Sequence, residues 1–361
     1  MTALGEALAP VLRGFIPSNL LLYGKTGTGK TAVTRRVLTP LGQRTTHTTV
    51  PVSVAYSNTR MAGTEYRVLA ELATALSLRV PFTGLAVTEL FHRILLRIAE
   101  VKSHVIVVLD EIDFLVKNYG DETLYDFTRA GEKLSDGHIS LIGISNDLKF
   151  KELLDPRVLS GLNEEEIMFP PYTADQLKTI LTERAQSAFL DGTVTDAAIS
   201  LCAALAASEH GDARRAVDLL RVCGEVAQRE GARHVDESHV RAAMQRIEQD
   251  RMVDALKSLP LHQKLVLVAA VFSHSNSSTG ELYDDYMALC RRAGSEPLTQ
   301  RRVSALLTEL DLLGLLSVRV VSQGRYGRTK KVNPLVSADF ITEILAPDPS
   351  VGGLLVHWPT K

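Results

Sequence analysis

The sequence predicts an α/β protein built in three consecutive parts: a parallel sheet with helices on both faces, a small helical domain, and three helices closed by a β-hairpin. Three observations predict it. Up to Phe169, short apolar runs alternate with helical stretches. From Thr173 to about Asp250 only helical periodicity is present. From Leu259-Pro260 onward, helical patterns end in two apolar strands flanking a Gly-containing turn.

The first part opens on MTALGEALAPVLRGF, which lacks a basic region followed by an apolar core and so predicts an amphipathic helix, with a cytoplasmic location expected. Strands are predicted at NLLLYG (19–24), VPVSVAY (50–56), HVIVVLD (104–110), ISLIGISN (139–146) and EEIMF (165–169). Pro170 and Pro171 end this pattern. In the second part, Ala and Leu recur at three and four residue spacing, with turn signals at Asp191-Gly192, Gly211-Asp212 and Gly231. The third part predicts helices over 261–272, 279–293 and 299–313, then a strand, a tight turn and a strand over 315–334. In its third helix, Val303, Leu306, Leu307, Leu310 and Leu313 are expected on one face, leaving Arg301, Ser304 and Thr308 pointing away from the core. Three helices and a hairpin make a winged helix, a variant of the helix-turn-helix.

Composition excludes several classes. Hydrophobic residues at 45% and charged ones at 23% describe an ordinary globular chain, not a disordered or fibrous one. The longest apolar runs, VIVVL and LVLVAAVF, fall well short of the roughly 18 residues that suggest a membrane helix. Cys202, Cys223 and Cys290 have no paired or metal-ligand spacing and are expected as small core residues. The formal net charge of -2 hides an asymmetry: between Asp311 and Asp339 there is no acidic residue, while Arg319, Arg325, Arg328, Lys330 and Lys331 fall in that gap. Such a bias marks a candidate polyanion-binding surface, or a solvated loop.

The segment GKTGTGKT, Gly24 to Thr31, follows an apolar strand and opens a helical stretch, the context that a phosphate-binding P-loop requires. Gly27 and Gly29 let the backbone turn its N–H groups toward phosphates, and the helix N-terminus adds its positive end. Lys30 is expected to reach the β- and γ-phosphates of ATP, and the Thr31 hydroxyl to bind Mg2+. Gly24, Thr28 and Ala32 complete the expected nucleotide contacts of ATP or ADP. A second strand ends in LDEID, which places Asp110 and Glu111 at the carboxyl edge of the sheet, where ligands of open α/β sheets sit. Asp110 can hold Mg2+ through water, and Glu111 can orient and polarise an attacking water. Asp113 is expected as a capping or surface carboxylate. Asn146 ends the next strand at the same edge, either as a turn former or as a contact to that water or the γ-phosphate.

Taken together, YGKTGTGKT, VIVVLDEID, GISNDLKFKELLDPRVLS, FPPYTADQL, GDARRA and LTQRRVSALLTELDLLGLL with GRYGRTK resemble the AAA+ ATPases, and within them the archaeal replication initiators of the origin recognition complex and Cdc type. The resemblance covers nearly the whole chain. It implies an AAA+ P-loop domain over 1–170, a helical lid over 171–252 and a winged-helix DNA-binding domain over 253–361. It makes Asn146 a first sensor of the γ-phosphate. It makes Arg157 an arginine finger for a neighbouring subunit, although that residue also fits an ordinary helix-cap arginine. In GDARRA, Asp212 can cap a helix whose first turn carries Arg214 and Arg215, about 100° apart, so only one can face a nucleotide. The resemblance selects Arg214 as the second sensor and adds Tyr172 and Arg184 as nucleotide contacts. Family members usually carry an upstream segment with a Pro-His-Arg-Glu-like motif that helps seat the adenine. This chain begins about one helix before its P-loop strand, which leaves a truncated start or a weakened base contact.

The winged helix would enter the major groove with its third helix and lay GRYGRTKK, as the wing tip, along the backbone or minor groove. Arg301, Arg302, Ser304 and Thr308 are the helix candidates, and Arg325, Tyr326, Arg328, Lys330 and Lys331 the wing candidates. The alternative is a winged helix used for protein contacts. The family also touches DNA with an insertion between its second and third strands. Here SNTRMAGTEYRVLAELATALSLRVPF (57–82) lies there, with Arg60 and Arg67 as candidates. The resemblance implies an origin-binding, ATP-switched initiator with slow hydrolysis, partnered by double-stranded origin DNA, the replicative minichromosome-maintenance helicase and copies or paralogues of itself. The competing expectations are an ATP-dependent transcription regulator and a DNA-binding paralogue that holds ADP permanently.

Overall fold

A computed structural model of the chain describes residues 2–43, 51–81, 83–134, 136–162, 165–273, 277–322 and 328–355. It divides into two compact units, Met1–Val240 and Arg241–Lys361, and the division falls within the helix Glu237–Ser258.

In the first unit, β1 (Leu20–Tyr23), β2 (Val52–Asn58), β3 (His104–Asp110), β4 (His138–Ser145) and β5 (Glu165–Met168) form a sheet in the order β2-β3-β4-β1-β5. All four pairings are parallel. The alternation of side chains along the strands splits the core in two. Leu21, Val105, Val107, Leu109 and Leu141 face the helices Glu65–Ala75, Val87–Val101 and Ile112–Tyr119. Leu20, Leu22, Ile106, Val108, Ile142 and Ile144 face the opposite side, where the N-terminal helix Thr2–Leu8 and the helix Lys30–Gln43 lie. Every residue of β3 is buried, which explains why HVIVVLD reads as a continuous apolar run and does not alternate. Each such buried Leu, Ile or Val contributes roughly 1.5–3 kcal/mol relative to exposure. By contrast β5 is an edge strand that pairs only with β1, and its Glu165 and Glu166 are exposed.

The helices Ala174–Ala188, Asp196–Glu209 and Ala213–Arg229 form the lid together with the start of Glu237–Ser258. Each of the first three begins on a side-chain cap: Thr173, in a reciprocal box with Gln176, then Thr195, then Asp212. Helical periodicity alone missed a parallel bridge between Val194 and Val235 that ties two lid loops together. Cys202 and Cys223 face each other in the lid core with Sγ atoms 3.9 Å apart, and Cys290 is buried in the second unit.

The second unit holds helices Leu261–Phe272, Thr279–Arg292 and Gln300–Leu312 and a sheet of β6 (Ser277–Ser278), β8 (Arg328–Pro334) and β7 (Leu316–Ser322), in that order. Val303, Leu306, Leu307 and Leu310 are buried as expected. Leu313 is not: the helix ends one residue earlier, Gly314 turns the chain at φ 72°, and Leu313 is left 49% exposed. The two-residue strand β6 and the closing helices Ala338–Leu345 and Gly352–Leu355 had no sequence signal strong enough to predict them. The closing turn is fastened by the Lys264 ammonium, 2.7 Å from Asp348 Oδ2 and nearly buried. No helix among the described residues is long and apolar enough to cross a membrane.

Candidate nucleotide site and nucleic-acid interface

The nucleotide site is assembled at the carboxyl edge of the parallel sheet. After β1, Gly27 and Gly29 take φ values of 75° and 86°, a region that favours glycine. Their lack of a Cβ has a second use. The Asp212 carboxylate occupies the place of a side chain at Gly27, and the Tyr172 hydroxyl that at Gly29. Lid and loop are also joined by Ala213 N–H donating to Gly27 O at 3.2 Å, while Tyr172 N–H donates to Gly211 O at 3.0 Å within the lid entry.

Lys30, 4% exposed, donates to the carbonyls of Gly24 and Lys25, both at 2.7 Å. Burial pushes its pKa down to about 8, opposed by the Asp110 charge and aided by Arg214. The Thr31 hydroxyl donates to Asp110 Oδ2 at 2.7 Å, and the Tyr56 hydroxyl donates to the same oxygen at 2.8 Å. Asp110 Oδ1 accepts from Glu111 N at 3.0 Å. The Thr31 and Asp110 oxygens form a hard-oxygen pair of the kind Mg2+ takes beside a bound phosphate, so the residues present fit that ion.

Glu111 sits in the left-handed region at φ 56°, ψ 42°, a conformation that costs a non-glycine residue of order 1–3 kcal/mol. Thr59, fully buried, holds it there by donating to the Glu111 carbonyl at 2.5 Å. Arg60, largely exposed, approaches the Glu111 carboxylate at 3.9 Å. Asp113, expected as a cap or surface group, instead accepts from Ser145 Oγ and Asn146 N, and so fixes the end of β4 from which Asn146 projects.

These groups surround a cavity of about 740 Å3. Of the expected residues, Gly27, Gly29, Lys30, Thr31, Ala32, Asp110, Glu111, Asn146, Tyr172, Arg184 and Arg214 line it. Gly24 and Thr28 do not; Thr28 is buried behind the loop and donates to Lys25 O at 2.9 Å. Arg157 stands apart at the start of helix Pro156–Leu162, 72% exposed and paired with Asp155 at 3.0 Å. Asp212 caps the helix through Arg214 N and Arg215 N; Arg214 turns into the cavity while Arg215 pairs with Glu209. The lid also contributes Ile180, Val217 and Arg221, which the sequence reading missed. Helical spacing could have found them, since Ile180 lies four residues before Arg184, and Val217 and Arg221 lie three and seven after Arg214.

In the second unit, a hollow of about 450 Å3 is lined by Thr279, Gly280, Gln300, Arg301, Ser304, Val320 and Lys330. Lys330 bridges hairpin and helix, donating to Ser304 O at 3.0 Å and Thr308 Oγ1 at 2.9 Å. It therefore does not belong to a wing tip: the register pairs Ser322 with Arg328, so Arg328, Lys330 and Lys331 all lie within β8. Arg328 is described as a strand position only, and Arg325 and Tyr326 fall outside the described residues. Lys331 pairs across the hairpin with Arg319, on the face opposite to Lys330. Two like charges directly opposed disfavour the hairpin by themselves. Arg302 points along its helix to Glu309 at 3.7 Å and does not line the hollow that Arg301 lines.

Three family models match the chain in succession: an AAA domain over residues 16–150, the Cdc6 AAA+ ATPase-type lid domain over 178–245, and the CDC6 C-terminal winged helix domain over 254–344. The ORC1-type DNA replication protein of Thermococcus kodakarensis is 49% identical over 360 residues, covering 98% of this chain and 87% of that one. The chain belongs to the ORC1-type DNA replication proteins. A second ORC1-type protein, DNA replication protein 1 of Sulfurisphaera tokodaii, is 48% identical over 345 residues, covering 94% of this chain and 86% of its own. Among solved structures, the Aeropyrum pernix ORC1 protein in complex with DNA matches with a TM-score of 0.74 at 48% identity, covering 98% of this chain and 92% of that chain. Membership in the ORC1-type family carries the AAA+ architecture with lid and winged helix, and sets the protein in DNA replication.

Proposed function

We propose that this protein is a replication initiator that binds ATP and Mg2+, grips double-stranded origin DNA, and recruits or loads the minichromosome-maintenance helicase under control of its nucleotide. The observation that carries this reading is one cavity lined by the P-loop, the β3 carboxylates and the lid arginines, in a chain that also bears a winged helix. In this reading the body spans 1–170, the lid 171–252 and the DNA-binding domain 253–361, and the protein works at the nucleoid.

Lys30 and the loop N–H groups hold the phosphates, and Thr31 with Asp110 holds the Mg2+, which neutralises phosphate charge when bound. Glu111 orients the water and Asn146 fixes its position. Tyr172, Arg184 and Arg214 close the lid on the nucleotide. Arg157, exposed and outside its own cavity, is available to the site of a neighbouring copy or paralogue. Arg301 and Ser304 read the duplex from the third helix, with Thr308 and Lys330 bracing the hairpin against it. Arg302, Arg325, Tyr326, Arg328 and Lys331 contact the DNA backbone, and Arg60 and Arg67 add contacts from the insertion after β2.

Glu111→Gln is expected to retain nucleotide within a few-fold and to lower turnover by roughly 100-fold or more, as loss of a group that acts on the water implies. Undiminished turnover would remove Glu111 from that role. The functional reading itself is tested by binding to origin-repeat and scrambled duplexes over a salt series. Repeat-selective binding is expected, with Arg301→Ala costing about 1–3 kcal/mol of selectivity and the Arg325→Ala/Arg328→Ala pair flattening the salt slope by about 2. Selectivity for promoters over origin repeats would replace the initiator by a transcription regulator.

A further inference from the structure

We infer that Tyr56 is a positioning residue for Asp110, and through it sets the protein's demand for Mg2+; the inference rests on the nucleotide-site reading above. Tyr56 lies on β2, and the register pairs Asn58, not Tyr56, with Asp110. The phenol therefore runs along the sheet for the length of two residues, about 6.6 Å, before its hydroxyl meets Asp110 Oδ2 at 2.8 Å. Its ring packs on the core face shared with helix Lys30–Gln43. The Arg35 guanidinium lies over that ring, 4.5 Å from the centroid.

Arg35 and Thr31 are four residues apart on the same helix and so lie on one face of it. That face meets the β2–β3 edge at two places: Thr31 at the Asp110 carboxylate and Arg35 at the tyrosine that holds the carboxylate from the other strand. Oδ2 thus accepts two hydroxyl donors while Oδ1 accepts the Glu111 amide, so three donors from three elements fix the carboxylate plane. A Mg2+ ion would take the Thr31 hydroxyl through an oxygen lone pair, which leaves the hydroxyl proton on Oδ2. Tyr56 is the side-chain donor that would not itself be a ligand, and from the neighbouring strand it holds the Asp110 carboxylate beside Thr31. Partners of this kind commonly set metal affinity by 10–100-fold.

The test is a Mg2+ titration of the full-length protein, followed by binding of a fluorescent ADP analogue starting from EDTA, for the wild type, Tyr56→Phe, Asp110→Asn and the double variant. Tyr56→Phe keeps the ring and its packing. It is expected to leave affinity in EDTA unchanged and to raise the Mg2+ concentration at the midpoint about 10-fold. In the Asp110→Asn background the same change should have no further effect, a coupling that a merely structural tyrosine would not produce. Equal midpoints for wild type and Tyr56→Phe, or an equal loss in EDTA and in Mg2+, overturn the assignment while leaving the nucleotide site intact. A wild-type protein that binds no nucleotide under any condition overturns the site and the tyrosine assignment together.

Discussion

Lys30→Ala is expected to weaken nucleotide binding by at least about 100-fold, the loss of about 3 kcal/mol that follows from removing a charged donor to phosphate. The fold should survive, because Lys30 belongs to the P-loop and not to either apolar core of the first unit. A pH signature separates this role from a general loss of structure. Burial holds Lys30 near a pKa of about 8, below its ordinary range, and phosphate binding requires the ammonium. Above pH 8 the free protein must therefore take up a proton as nucleotide binds, and wild-type affinity should fall up to about ten-fold per pH unit. Calorimetric titration across pH 7 to 9.5 checks this, with the Lys30→Ala variant expected to lack that slope. A wild-type affinity flat through this range would mean that Lys30 keeps an ordinary amine pKa or does not meet the phosphates.

Asp348→Ala should destabilise the second unit by about 3–5 kcal/mol, because it leaves the Lys264 ammonium buried without its counter-charge. Chemical denaturation followed by a probe in that unit gives the number. Replacing both partners with apolar residues, Lys264→Met with Asp348→Leu, should recover most of the loss, since a buried pair is weak evidence of net stabilisation. The same pair predicts acid sensitivity. The Asp348 carboxyl is held down to about 2 by Lys264, helped by Ser350. A carboxylate whose pKa is depressed in the fold contributes stability above its unfolded value and loses it as pH falls, so this contribution should fade between about pH 4 and pH 2. A variant as stable as wild type would show that the closing turn is held by its apolar contacts alone.

How much of this was legible in the sequence depended on range. The five parallel strands were legible because a strand buried on both faces is a run of apolar residues, and the P-loop because its chemistry is confined to eight consecutive positions. The choice of Arg214 over Arg215 needed the family resemblance, since both follow the same Asp212 cap. What stayed hidden depends on register and on distant partners. Tyr56 looks like one more apolar strand residue until the offset between β2 and β3 brings its hydroxyl to Asp110. Lys264 and Asp348 are 84 residues apart, with nothing local to announce their meeting. Lys330 and Lys331 look equivalent in a basic run, yet strand alternation sends one to the third helix and the other to face Arg319.

The close seating of Asp212 against Gly27 and of Tyr172 against Gly29 links two stretches of chain about 140 to 190 residues apart. A Cβ at position 27 would push the Asp212 carboxylate off its helix cap, and one at position 29 would displace the Tyr172 hydroxyl. Descendants of this sequence are thus confined to a narrow corridor: positive φ strains any side chain at 27 or 29 whatever the space, and a shortening at 212 or 172 relieves only the crowding. In a randomised library both glycines should be retained, while positions 212 and 172 vary more freely.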